Sequence, residues 1–180
     1  KGAALGTGTT MDFEMIGGTH ELLPNDVLQE LMHKSLNQIG GFDYTSKENE
    51  FAKSIAETLG KPLNMAFVNG VEPYDPDALP MGSTDVGDVS FTVPTAGMGA
   101  ATWVPGTPAH SWQAVATGGT TIGNKGMIVA AKTLALTAFK LLDNPKIMEE
   151  AHAEFLEKRG ADFKYIPLLG DRSPALDYRN

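Results

Sequence analysis

The sequence predicts an α/β fold, a mixed sheet with helices packed on it. Three observations point there. Thr10 to Ile16 alternates apolar and polar residues, with Met11, Phe13 and Met15 on one side and Asp12 and Glu14 on the other, the period of a half-buried strand. Ser90 to Val93 and Met98 to Val104 are apolar, β-branched and aromatic, and too short for helices, so they read as central strands. Long stretches of helical periodicity flank both groups, and helices layered on a sheet are the economical way to bury them.

In chain order, Lys1 to Leu5 reads as the end of a helix. Lys1 is not a methionine, so the chain is expected to continue upstream in its gene product. Gly6 to Thr9 is a turn, and Gly17-Gly18 ends the first strand. Asn25 or Asp26 can cap a helix carrying Val27, Leu28, Leu31, Met32 and Leu36 at helical spacing, stopped by Gly40-Gly41. Ser46 caps a second, through Phe51, Ile55, Ala56 and Leu59, with Gly60 as its stop. Glu48 and Glu50 place negative charge in its first turn, which suits the helix dipole. Pro62 to Pro80 is a long loop, with a short extended piece at Met65 to Val68.

After the two central strands, Gly118-Gly119-Thr120-Thr121 reads as a helix entry, since it lacks the spacing of a phosphate loop. Thr121 to Leu142 is the strongest helix. Its apolar residues cover more than one face, so it should be deeply packed. Asn144-Pro145 closes it and opens another, with Pro145 suited to a first helical position, running to Arg159 and Gly160. Ala161 to Asn180 is a tail bearing Pro and Gly. The order is strand, helix, helix, strand, strand, helix, helix. So few strands make a thin sheet, and a fuller one would need strands from outside this chain.

Composition narrows the function. A net charge of −8 and a pI near 4.9 over 180 residues leave no basic stripe to displace counterions from nucleic acid. No run is long and apolar enough to span a bilayer, and signal-peptide anatomy is missing. There is no cysteine, which fits a reducing compartment, and a cytoplasmic location is expected.

The residues suited to chemistry gather between Met81 and Gln113. His110 follows a strand-like run and the turn Pro105-Gly106-Thr107-Pro108, where an imidazole can face a cleft as a metal ligand or acid/base. As a lone histidine it reads first as a surface or hydrogen-bonded residue. Asp85 and Asp88 lie among hydroxyls and glycines, suited to a cation, a helix cap or a supporting hydrogen bond. His33 and His152 read as solvated residues on helices, and His20 reads as structural. A zinc site wants about three protein ligands per metal, and with no cysteine and four scattered histidines the sequence does not show a complete one.

The runs Gly82-Ser83-Thr84-Asp85-Val86-Gly87-Asp88-Val89-Ser90, Val93-Pro94-Thr95, Gly106-Thr107-Pro108-Ala109-His110-Ser111-Trp112-Gln113 and Lys125-Gly126-Met127, with Leu23-Pro24-Asn25 ahead of a helix, resemble the C-terminal part of the aminoacylase and carboxypeptidase-type dizinc amidohydrolases. The resemblance implies an α/β catalytic domain interrupted by a lid domain that usually dimerises. Residues 1–22 would end the lid and 23–180 would form the C-terminal portion of the catalytic domain.

By the same resemblance, His110 is a metal ligand and Asp85 supports the metal site. Ser83, Thr84, Gly106 and Thr107 lie in loops that touch substrate. The implied cofactor is a pair of divalent ions, zinc or alternatively manganese. The implied reaction is hydrolysis of an acyl–amino-acid amide, such as an aminobenzoyl-glutamate-like compound, by metal-activated water.

The family's remaining ligands and its general-base glutamate have no match here. They are expected in an N-terminal half or a second chain, with homodimerisation through the lid, and the isolated chain should be inactive. The alternative is a non-catalytic or degenerate α/β module that binds a small molecule or serves in assembly.

Overall fold

The computed structural model describes residues 1–76, 78, 84–173 and 176. Among them every regular element is helical: α1 (Gly2–Thr7), α2 (Asp26–Ile39), α3 (Ser46–Leu59), α4 (Ala66–Asn69), α5 (Val86–Ser90), α6 (Trp112–Gly118), α7 (Thr121–Asp143) and α8 (Pro145–Arg159). The expected mixed sheet is therefore corrected, since the described residues contain no strand.

Each misread strand has its own local reason. Residues 10–16 alternate as expected, but Met11, Phe13 and Met15 are all exposed. A strand is completed by a paired neighbour, and here the contacts are side-chain ones, an Arg172–Glu14 ion pair and Gly18 lying against Leu168. Ser90 closes α5 instead of opening a strand. Its hydroxyl donates to the Gly87 carbonyl at 2.6 Å and Thr92 donates to that of Val89 at 2.7 Å, a local competition to which Ser and Thr are prone. At Gly97, Gln29 of α2 satisfies both backbone groups, donating to the carbonyl at 2.8 Å and accepting from the amide at 3.2 Å. Residues 98–104 then run irregularly to the buried Val104.

The piece expected to be extended at Met65 to Val68 is also helical. It belongs to the single turn α4, which Asn64 starts by accepting from the Ala66 amide at 3.1 Å.

The helices follow the sequence more closely. Asn25 caps α2 by accepting from the Leu28 amide at 3.0 Å, and its own amide donates to the Ala151 carbonyl at 2.8 Å. Glu154 of α8 accepts from the Asp26 and Val27 amides, so α8 supplies a carboxylate to the positive end of α2. Burial alone raises the Glu154 carboxyl, but hydrogen bonds from Lys158, Val27 and Asp26 outweigh it and hold it below its usual range. The α3 cap is Thr45, one residue before the expected Ser46, in a full capping box with Glu48. Thr120 caps α7, and Pro145 opens α8.

The hydrophobic core joins Tyr44, Ala52, Ile55, Val68, Val104 and Ile122. α7 is covered along one face. Its buried residues are Ile122, Gly123, Gly126, Thr133 and Thr137, whereas Met127, Leu134, Phe139 and Leu142 are exposed. The deep packing expected of this helix is thus corrected. Glycine allows the closest approaches: a Cβ at Gly126 would lie 2.6 Å from the Ala101 carbonyl oxygen. Threonine hydroxyls on the same face return to the helix carbonyls of Val129 and Thr133.

Candidate functional site

The loop that carries His110 is shaped by its own sequence. Val104 is buried and anchors the entry. The Thr107 amide donates to the Val104 carbonyl at 3.1 Å, and Gly106 takes φ 86° inside that turn, a conformation open to glycine at little cost. At the exit, Ser111 accepts from the Ala114 amide at 3.2 Å as the N-cap of α6 and donates to the Pro108 carbonyl at 2.7 Å.

Between these two anchors His110 adopts φ 57°, and it is the one non-glycine residue with positive φ among the described residues. Such a backbone costs roughly 1–3 kcal/mol for a residue with a side chain and persists where its surroundings impose it. The imidazole is exposed and borders an open groove of about 660 Å³, lined also by Trp103, Ala109, Ser111, Trp112, Ala114 and Val115. Trp112 starts α6 and leaves 59% of its surface exposed. Trp103 lies against Gly118 at the other end of that helix.

Thr107, within this loop, is half-buried, and its buried hydroxyl has no hydrogen-bond partner among the described residues. Gly106 is exposed near the stem of Lys61.

Asp85 and Thr84 lie in a different neighbourhood. Thr84 accepts from the Val86 amide at 3.2 Å and so starts α5, with Asp85 at its N-terminus; both are exposed and neither lines the groove. α5 is seated on the segment before α2. The Ser90 hydroxyl accepts from the Leu23 amide at 2.8 Å, and Gly87 lies so close to His20 that a Cβ there would be 1.9 Å from the His20 carbonyl oxygen. Around His20 stand Phe91, Phe163 and Tyr165, with Arg159 over the Phe155 ring, while Tyr165 donates to Asp88 at 2.9 Å. Ser83 lies outside the described residues.

The described residues alone do not assemble a metal centre. Among the described residues no group of three or more His, Cys, Asp or Glu side chains could hold an ion, and His110 is the single imidazole at the groove. No helix among them is long and apolar enough to cross a membrane.

Sequence reasoning overlooked the groove's aromatic walls. The signal was present, because the chain has two tryptophans in all and both flank His110.

Comparison with known proteins bears out the resemblance carried by the quoted motifs. The chain is 32% identical, over 200 aligned positions, to one of the subunits of p-aminobenzoyl-glutamate hydrolase from Escherichia coli (strain K12). That match takes in 97% of this chain and 42% of the relative, so the chain spans less than half the length of the protein it matches. No protein-family model matches the chain, and no solved structure matches it.

Proposed function

We propose that this chain forms one wall of an amidohydrolase site that cleaves an acyl–amino-acid amide of the p-aminobenzoyl-glutamate type. The observation that carries the reading is the similarity to the hydrolase subunit along nearly the whole chain. The loop at His110 supports it physically. A positive-φ backbone between a turn on buried Val104 and the Ser111 cap presents an imidazole at an open groove. In this reading His110 is the donor the chain offers to a divalent metal pair, zinc or manganese. The remaining ligands and the general base come from another stretch of protein or a second chain. Gly106 and Thr107 border the substrate. Asp85, Thr84 and Ser83 support the site only if that further protein draws α5 toward the His110 loop. Residues 1–22 belong with a lid through which the protein dimerises.

The test is hydrolysis of p-aminobenzoyl-glutamate by the complete protein or complex that contains this chain, with and without added zinc. Release of p-aminobenzoate that requires this chain supports the reading. A complete complex that binds the compound and never cleaves it overturns the reading. That second outcome would favour a binding or assembly role.

A further inference from the structure

We propose that the outer face of α7 is the docking surface for the polypeptide that makes up the rest of the hydrolase, which seats on it through a broad apolar face. The identity of that occupant rests on the hydrolase reading, whereas the need for one follows from the helix itself.

α7 turns its more apolar side outward. At 3.6 residues per turn, Met127, Ile128, Leu134, Phe139 and Leu142 fall within one arc of roughly 140°. All five are exposed, as are the three alanines that lie between them on the same arc. The stripe runs about 23 Å along the helix. Charge is kept out of it: Lys132 stands at its edge, and Lys140 lies on the opposite side, where it donates to the Ser35 hydroxyl at 3.2 Å. The side covered within this chain holds Gly126, Thr133 and Thr137, with Thr137 against Met32 of α2.

The helix thus buries glycine and threonine and leaves its large apolar side chains to water, the reverse of what the hydrophobic effect favours in a finished core. A helix apolar on all sides belongs inside a larger protein or in a membrane, and α7 is not long and apolar enough to cross one. A contiguous exposed stripe of this kind marks an interaction surface.

Two facts select the occupant. The similarity to the hydrolase subunit takes in 42% of that protein, so more than half of the relative's length has no counterpart among these 180 residues. The arc is also wider than the seam between two single helices, which needs only a narrow stripe. A second copy's α7 would leave part of it wet, whereas a sheet face or a pair of helices covers it.

The chain has no cysteine, so a single introduced one is a unique handle within it. Ala138→Cys puts a thiol in the middle of the arc, and Ala153→Cys puts one on the exposed side of α8. The experiment follows alkylation of each by N-ethylmaleimide, read by peptide mass spectrometry, in the complete protein or complex that contains this chain. Ala138→Cys should react at least about 10-fold more slowly than Ala153→Cys. A photo-reactive phenylalanine analogue in place of Phe139 should cross-link to sequence outside these 180 residues. Equal alkylation rates, or cross-links that join only two copies of residues 1–180, overturn the proposal.

Turnover by the same preparation separates this surface from the hydrolase reading. A protected Ala138→Cys thiol with the outside cross-link, in a complex that never cleaves p-aminobenzoyl-glutamate, keeps the surface and removes the hydrolase. Full hydrolysis with equal alkylation rates keeps the hydrolase and removes the surface.

Discussion

Glu48 and Lys125 meet at 2.6 Å although they stand 77 residues apart in the chain, and the pair ties the start of α3 to the first turns of α7. Glu48 also accepts from the Thr45 amide and the Thr121 hydroxyl, each at 2.6 Å, and Lys125 donates to the Asp43 carbonyl at 2.9 Å. One carboxylate thus completes a capping box and joins two helices. The α7 residue it reaches, Lys125, lies one position before Gly126, which packs on the segment leading to Val104 and the His110 loop.

That arrangement makes stability depend on acid. Burial alone raises the Glu48 carboxyl, but bonds from Lys125, Thr121 and Thr45 outweigh it and bring it from its ordinary 4.5 down to about 2. A carboxyl lowered on folding stabilises the native state above its unfolded value, and that contribution fades as pH falls through the folded one. Circular dichroism should therefore show stability lost between about pH 4.5 and 2. Glu48→Gln should flatten the dependence in that window and cost on the order of 2 kcal/mol at neutral pH. A variant with an unchanged acid profile would show that Glu48 does not carry it.

Tyr44 offers the opposite test. It is buried in the core, its hydroxyl finds no hydrogen-bond partner among the described residues, and burial followed by the Glu48 charge pushes its phenol up to about 12. A buried donor without a partner costs about 1–3 kcal/mol. Tyr44→Phe should leave stability unchanged or raise it by about 1 kcal/mol, measured by urea denaturation. A clear loss of stability would mean that the hydroxyl has a partner in solution.

Close packing at α5 yields a third prediction. Gly87→Ala would place a methyl 1.9 Å from the His20 carbonyl oxygen, whereas a Cβ at Gly119 meets nothing within 4 Å. Gly87→Ala should destabilise by about 1–3 kcal/mol and loosen the seating of Thr84 and Asp85. Gly119→Ala should change stability by less than about 0.5 kcal/mol. Equal melting temperatures for the two variants would contradict the contact.

α2, α3, α7 and α8 were legible in the sequence because their signals are local: Asn25 and Gly60 bond within four positions, and Pro145 sits at a first helical position. The strands were misread because pairing is not local. The alternation of Met11, Phe13 and Met15 records two chemically different faces, but nothing in it says that a neighbouring strand is at hand. At Gly97 the backbone partner is a side chain, Gln29, 68 residues earlier, which periodicity does not register. On α7 the apolar residues outnumber what one face can cover, and the buried places went to Gly123, Gly126, Thr133 and Thr137. Of the site, the His110 loop could be read from its motif. The grouping of Trp103 with Trp112 required the fold of α6, and the separation of Asp85 from the groove required the docking of α5 on His20.

His110 is the donor on which the hydrolase reading depends. The most direct measurement is hydrolysis of p-aminobenzoyl-glutamate by the complete protein or complex containing this chain, compared between wild type and His110→Ala, with metal content measured alongside. The predicted result is a fall in kcat of at least about 100-fold, above what loss of an outer-sphere partner brings, together with loss of bound metal and a retained circular-dichroism spectrum. Full activity and full metal content in His110→Ala would contradict it.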